Sequence, residues 1–193
     1  KNTNIILGVG DPEFAPEDVD FVTALLNAGA ELAELMKEVA EAKRGGDGTD
    51  LTSVLVNAEI EGDQLDEADL ASFFVLLVVA GNETTRNAIS WGLKYLTDNP
   101  EQRAIWVNDF EGVAPSAVDE IIRLASPVTY MRRTVTQDTV LAGRELLEGD
   151  KVAMFYLAAN RDPSVFADPY SFDVRRSPNS QCGFGGPGPH FCL

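Results

Sequence analysis

Near the end of the chain, Gly183-Phe184-Gly185-Gly186-Pro187-Gly188-Pro189-His190-Phe191-Cys192 combines a thiol, an imidazole and a glycine-rich backbone. Its first six residues spell G-x-G-x-x-G, a dinucleotide-binding pattern that should follow a strand, open a helix and precede an acidic residue about 20 positions on. Pro187 and Pro189 oppose a helix, no acidic residue follows, and the preceding stretch is irregular. The alternative is a loop that presents a thiolate. Glycines permit tight turns whose backbone N–H groups face the sulfur, stabilising its charge and tuning a bound metal. His190 can donate a hydrogen bond to a nearby anion. For the sulfur alone, a structural cysteine in a loop stays open, as does a bridge from Cys192 to Cys182.

A second cluster, Gly81-Asn82-Glu83-Thr84-Thr85, interrupts an apolar run with glycine and four polar residues. Glycine in a helix interior costs about 1 kcal/mol relative to alanine, and buried polar groups cost more unless paired. Gly81 would let a bulky flat group approach the backbone. Glu83 offers a titratable proton carrier and Thr84 a hydroxyl beside it. A bend satisfied by threonine hydroxyls bonding back to carbonyls fits the same residues. Glu120 and Arg123, at i,i+3, read in isolation as an exposed pair worth about 0.2 to 0.5 kcal/mol. Arg132-Arg133 could reach an anionic group or form a solvated face.

Composition narrows the classes. The 193 residues are 45% hydrophobic and 24% charged, ordinary for a globular chain with a sizeable core. Asp and Glu outnumber Lys and Arg 31 to 15, for a net charge of −16, which disfavours nucleic acid and anionic membranes as partners. Two cysteines make no disulfide framework and suit a reducing compartment. With one histidine besides, a four-ligand zinc site lacks ligands. The longest apolar run, Phe73 to Ala80, has eight residues against the roughly 20 needed to cross a bilayer, so it reads as a buried segment and not a membrane span. The chain opens on Lys1 and reads as a piece of something longer.

The positioning elements follow from periodicity. Apolar residues from Val19 to Val39 recur at helical spacing, predicting a helix over 16–44 that ends at Gly45-Gly46. A short helix is expected at about 50–59 and a turn at 61–63. Asp66 can cap a helix running to about Asp98, roughly 45 Å of central rod. Helices at about 101–108 and 115–125 follow. Beyond Pro127, alternating stretches at 131–136, 139–142 and 152–155 read as small β-ribbons. From Asn160 to Pro189, Pro, Gly, Asn and Asp dominate, predicting a long meander, and a loop that long usually serves a function.

Taken in order, AGNETT (Ala80–Thr85), EIIR (Glu120–Arg123), YMRR (Tyr130–Arg133), ANRDPSVFADPYSFD (Ala159–Asp173) and FGGPGPHFC (Phe184–Cys192) resemble the cytochrome P-450 family of haem-thiolate monooxygenases. The resemblance covers essentially the whole chain. It implies a mainly α fold with small β-ribbons, the central and proximal part of the P-450 fold, incomplete at both ends. Residues 1–193 would form a single partial domain, with a helical part at 1–127 that includes the long oxygen-binding helix at about 66–98. Ribbons at 128–158 and the meander and cysteine-ligand loop at 159–193 would complete it.

The same resemblance implies that Cys192 ligates the iron of haem b (iron protoporphyrin IX) through its thiolate. Arg132 and His190 stand where haem-propionate partners stand, Phe184 opens the ligand signature, and Ala80 and Gly81 would lie against the haem. Glu83 and Thr84 match an acid–alcohol pair that delivers protons toward dioxygen by way of water. Glu120 and Arg123 become a buried structural pair tying the meander to the core. Val79, Ala80, Val128 and Thr129 are the candidate substrate-pocket residues.

Several positions depart from the general pattern. Phe184 stands eight residues before Cys192 instead of seven, a form that looks most like actinobacterial members hydroxylating terminal methyls of methyl-branched lipids and sterol side chains. Ser171 stands where many relatives carry an arginine contacting the Glu–Arg pair, leaving Arg175 or Arg176 to substitute. Gln181 stands where close relatives often have histidine. Family members run to about twice this length, so the chain alone is expected to bind haem poorly at best and to be inactive as an enzyme. The implied parent is a cytoplasmic bacterial enzyme acting on a lipophilic small molecule with O2, with electrons from a ferredoxin and its reductase. A peroxide-using haem-thiolate enzyme and a non-enzymatic acidic binding domain are the rival readings.

Overall fold

A computed structural model describes residues 1–8, 11–14, 19–60, 62–186 and 191–192 of the chain. The described residues are mostly helical, with three two-stranded antiparallel sheets among them. The backbone clusters into two compact units, Lys1–Glu83 and Thr84–Leu193.

In the first unit, α1 (Asn2–Leu7) packs on α2 (Phe21–Lys43). Helix α2 begins five residues later than the predicted 16, because Asp20 caps it: its Oδ1 accepts from the N–H groups of Val22 and Thr23 at 3.1 Å each. Bonding to the Thr23 hydroxyl, first, and then to these amides holds the Asp20 carboxyl below its ordinary value. Helix α3 (Leu51–Val56) starts on another aspartate cap, Asp50, which Lys43 also grips at 2.6 Å. The expected end at Glu59 is corrected: β1 (Glu59–Ile60) pairs with β2 (Asp63–Gln64) in a small hairpin that periodicity alone did not reveal.

Helix α4 (Glu67–Asp98) follows, with Asp66 Oδ1 accepting from Asp69 N–H at 2.8 Å. Its first half contributes Leu70 to a core with Met36, Ala40 and Val56. The run Phe73–Ala80, expected to be buried, is instead half-buried or exposed, Leu76 to 64%. Within this unit only the side bearing Leu70 and Phe74 packs into that core. Among the described residues α4 is the one helix long and apolar enough, by length and composition, to cross a bilayer.

The second unit continues α4 and adds α5 (Pro100–Asn108) and α6 (Phe110–Ala125). Helix α6 starts five residues before the predicted Pro115, because the Asp109 carboxylate accepts from Gly112 N–H at 3.1 Å and Val113 is drawn into the core. Pro115 thus sits inside the helix. Strands β3 (Tyr130–Thr134), β4 (Thr139–Leu141), β5 (Arg144–Leu146) and β6 (Lys151–Phe155) pair as β3 with β6 and β4 with β5. Strand β5, absent from the sequence reading, is reached through Ala142 and Gly143, both at positive φ (49° and 77°), the geometry of a tight hairpin turn. After α7 (Tyr156–Ala159) the chain meanders across α6, placing Phe172 and Val174 in a core with Val113, Ala117 and Leu124. Val174 N–H donates to Gln102 Oε1 at 3.0 Å, and its carbonyl accepts from the Ser116 hydroxyl at 2.6 Å.

Candidate functional site

The deepest polar feature of the second unit is Glu120 with Arg123, both fully buried on α6. Burial of such a pair is tolerable only with complete hydrogen bonding. All five guanidinium donors of Arg123 find acceptors: Nε and Nη2 reach the two Glu120 oxygens at 2.7 and 2.8 Å. Nη1 serves the carbonyls of Asn160 (2.8 Å) and Pro169 (2.7 Å), and Nη2 that of Ser171 at 3.0 Å. The Phe166 ring lies 5.1 Å from its Cζ. The pair is not the exposed one it looks like in isolation but the buried structural pair that the resemblance implied: one arginine stitches three points of the meander to α6.

Glu120 also accepts from Arg176 Nε at 3.0 Å on both oxygens, from Asp173 N–H at 3.1 Å and from Asn179 Nδ2 at 3.2 Å. Of the two candidates for the third partner, Arg176 takes the place; Arg175 is exposed. Ser171, without a guanidinium, contributes its backbone carbonyl to both Arg123 and Arg176. The buried Asn179 Oδ1 finds no partner among the described residues. Its orientation follows from its neighbour, since turning the amide would set an oxygen against the Glu120 carboxylate.

From this cluster the chain leads to the thiol. Asn160, fully buried, accepts from Cys182 N–H on its Oδ1 at 2.8 Å and donates from Nδ2 to Ser126 Oγ at 2.9 Å. Gly183 follows so close to α6 that an added Cβ would stand 2.6 Å from Ile122 Cγ2, so only glycine fits. Cys182 O then accepts from Gly185 N–H at 2.9 Å, with Gly185 at φ 89°, and Phe184 O accepts from Cys192 N–H at 3.0 Å. Residues 183–184 form a turn, and residues 187–190 of the stretch lie outside the described residues. Burial raises the Cys182 thiol above its ordinary value, while Cys192 is exposed.

Cys192 borders a cavity of about 400 Å³ lined also by Phe184, Phe191, Asp119 and Gln181. The two phenylalanine rings stand 6.2 Å apart, tilted, and offer apolar walls for a flat group. Among the described residues no three His, Cys, Asp or Glu side chains gather to hold an ion. Cys192 can thus give a metal a single sulfur ligand, which suits an iron whose other ligands come from a macrocycle. In their donor set and walls these residues fit haem.

Glu83 and Thr84 are consecutive half-buried residues of α4, about 100° apart round its axis. Helix α4 runs unbroken through Gly81, where an added Cβ would meet nothing within 4 Å. Ala80 is exposed and Val79 half-buried. Asn82 donates to Thr3 Oγ1 at 2.8 Å, joining α4 to α1. Arg132 lies exposed on β3 opposite Ala153; Val128 is half-buried and Thr129 exposed. His190 lies outside the described residues. The residues that motif reading missed are Asn160, Ser126 and Asn179, whose roles rest on contacts across 22 to 59 sequence positions. For Ser126 the one signal was a small polar residue just past the end of the predicted helix at 115–125.

Known proteins match this arrangement closely. The methyl-branched lipid omega-hydroxylase of Mycobacterium tuberculosis is 54% identical over 191 residues, covering 99% of this chain and 44% of that protein. The steroid C26-monooxygenase of Mycolicibacterium smegmatis is 38% identical over 183 residues, 95% of this chain and 41% of that protein. The solved structure of the Mycobacterium marinum cytochrome P450 CYP268A2 in complex with pseudoionone superposes with a TM-score of 0.88 at 43% identity, over 99% of this chain and 46% of that one. The chain thus spans less than half the length of these relatives. The cytochrome P450 family pattern itself runs through residues 23–105 and 113–193. With its helices, small antiparallel sheets and cysteine-bearing loop all in that family's order, the chain belongs to the cytochrome P450 family, whose members hold haem b on a cysteine thiolate.

Proposed function

We propose that the protein of which this chain is part is a haem-thiolate monooxygenase that hydroxylates a terminal methyl of a methyl-branched lipid or sterol side chain. The carrying observation is 54% identity, across 99% of the chain, to a methyl-branched lipid omega-hydroxylase. In this reading the Cys192 sulfur ligates the iron, Phe184 packs beside the macrocycle, and Arg132 and His190 pair with its propionates. Haem supplies the redox centre at which dioxygen and two electrons are consumed.

The chain's own residues supply the rest. Glu83 and Thr84 hold and pass protons by way of water, so that R–H, O2, two electrons and two protons leave as R–OH and water. Ala80 and Gly81 present a low surface to the haem. Val79, Ala80, Val128 and Thr129 line the lipophilic pocket. Glu120, Arg123 and Arg176 keep the meander docked so that the thiol stays where α6 and its loop put it. The exposed apolar side chains of α4 are covered by the rest of the domain, and the catalytic unit is the full-length protein, working in the cytoplasm with a ferredoxin and its reductase.

The test is the carbon monoxide difference spectrum of the reduced full-length protein, followed by turnover of a methyl-branched lipid under isotopically labelled dioxygen. A strongly red-shifted thiolate band, with one label atom in a terminal hydroxyl, is the expected outcome. A histidine-like band or no haem overturns the haem-thiolate assignment, and unlabelled product formed only with peroxide overturns dioxygen activation.

A further inference from the structure

The network around Asn160 reaches beyond the buried ion pair. Asn160 is fully buried and every polar group it owns is used. Its N–H donates to Tyr156 O at 2.8 Å and its carbonyl accepts from Arg123 Nη1 at 2.8 Å. Its side-chain Nδ2 donates to Ser126 Oγ at 2.9 Å, and that hydroxyl donates onward to Arg123 O at 2.8 Å. Its Oδ1 accepts from Cys182 twice, from N–H at 2.8 Å and from Sγ at 3.3 Å. One amide therefore ties the end of α6 to the first residue of the turn that leads, through Cys182 O to Gly185 N–H and Phe184 O to Cys192 N–H, to the exposed thiol.

An amide does this without a buried charge, accepting from a backbone N–H on one side and donating to a hydroxyl on the other. On the Cys182 side Oδ1 is the only acceptor described for that N–H, and leaving such a donor unmet in a partly buried place is costly. Ser126 holds its own position at φ 38°, a left-handed conformation unfavourable for a residue with a Cβ. Its hydroxyl accepts from the amide Nδ2, on the side away from Cys182.

Resting on the haem-thiolate reading above, we propose that Asn160 is a positioning residue for the iron ligand: its Oδ1 fixes the root of the cysteine loop and so the distance and direction of the Cys192 sulfur. Loosening that root lets the sulfur draw away from the iron or gain a proton. Weaker thiolate donation then shows in the iron itself, in its spectrum and potential, and not merely in stability.

The experiment uses the full-length holoprotein and compares wild type with Asn160→Ala, Asn160→Ser, Asn160→Asp and Ser126→Ala. Alanine and serine both lose the acceptor for Cys182; aspartate keeps it; Ser126→Ala removes only the opposite bond. In the reduced carbon monoxide spectrum, Asn160→Ala and Asn160→Ser are expected to lose at least half of the thiolate band to a neutral-ligand band, with a raised iron reduction potential. Asn160→Asp and Ser126→Ala keep the band. A full thiolate band and unchanged potential in haem-loaded Asn160→Ala or Asn160→Ser overturn the proposal while leaving the haem-thiolate reading intact. Loss of haem by all four variants alike marks a general structural role and overturns it too. Absence of the thiolate band from wild type sinks both.

Discussion

Arg176 Nε lies 3.0 Å from each carboxylate oxygen of Glu120, so a fully buried glutamate faces two guanidiniums, the second delivered from the meander 56 residues away. Its Nη1 and Nη2 also reach the carbonyls of Ala167 (2.7 Å) and Ser171 (2.9 Å), which makes it a clamp across one bend of the meander. The task an arginine at position 171 would perform is thus done five residues later, while the Ser171 backbone still serves both guanidiniums.

Replacing Arg176 with Met should therefore cost about 3 kcal/mol in urea unfolding, because it strips a partner from a buried carboxylate. Arg175→Met, at an exposed neighbour, should cost less than about 0.5 kcal/mol. Equal costs at the two positions would show that the Glu120 cluster does not depend on its third member.

How far the sequence foretold this site depends on the range of the contacts. The cap at Asp66 and the existence of α2 were readable, because capping and apolar periodicity act within a few residues, but the buried face of α2 was not: Ala24, Ala28 and Ala40 line it with Leu32 and Met36, while Val22 and Leu26 stay exposed. Helix α6 was misplaced at its start: Pro115 suggested a first turn, but the Asp109 cap and the burial of Val113 extend the helix back to Phe110. Strand β5 was missed because three residues carry too little alternation, and Ala142 at positive φ gives no compositional warning. The Glu120–Arg123 pair looks like any surface i,i+3 pair until the meander is folded over it. Asn160 and Asn179 were invisible, since an asparagine in an irregular stretch ordinarily signals a turn.

Ser126 offers a trade that separates backbone from side chain. Glycine relieves the cost of the left-handed conformation, roughly 1 kcal/mol, but gives up the hydroxyl that bonds Arg123 O and Asn160 Nδ2. Alanine gives up the same bonds and keeps the strain. Both should lower the unfolding free energy, with Ser126→Ala lower than Ser126→Gly by about 1 kcal/mol. The reverse order would mean that the backbone there carries no strain.

The Cys182 thiol, raised above its ordinary 9.0 by burial, should be a slow nucleophile at neutral pH. Alkylation followed by fragment sequencing, which separates it from Cys192 on the same peptide, should give a rate rising with pH to a midpoint above that ordinary value. The sign for folding follows from the same shift. The neutral thiol is favoured in the folded state, so its contribution is complete below the unfolded value and is lost as pH climbs through the higher folded one. A midpoint at or below the ordinary value would mean that the thiol is solvated and that its contact with Asn160 is not kept in solution.

Thr84→Ala tests the proposed proton path with little disturbance, since it removes one hydroxyl and one methyl from a half-buried position on a continuous helix. Haem content and the carbonyl spectrum of the full-length protein should be unchanged, because the change leaves the cysteine loop intact. If Thr84 passes protons toward dioxygen, the product formed per electron pair should fall by about tenfold or more. The missing electrons should appear as hydrogen peroxide, each O2 taking two electrons and two protons without cleavage. Parallel assays of reductant consumed, peroxide released and hydroxylated product formed read the balance directly. Unaltered coupling would remove Thr84 from the path and leave Glu83, working through water alone, as the proton carrier of α4.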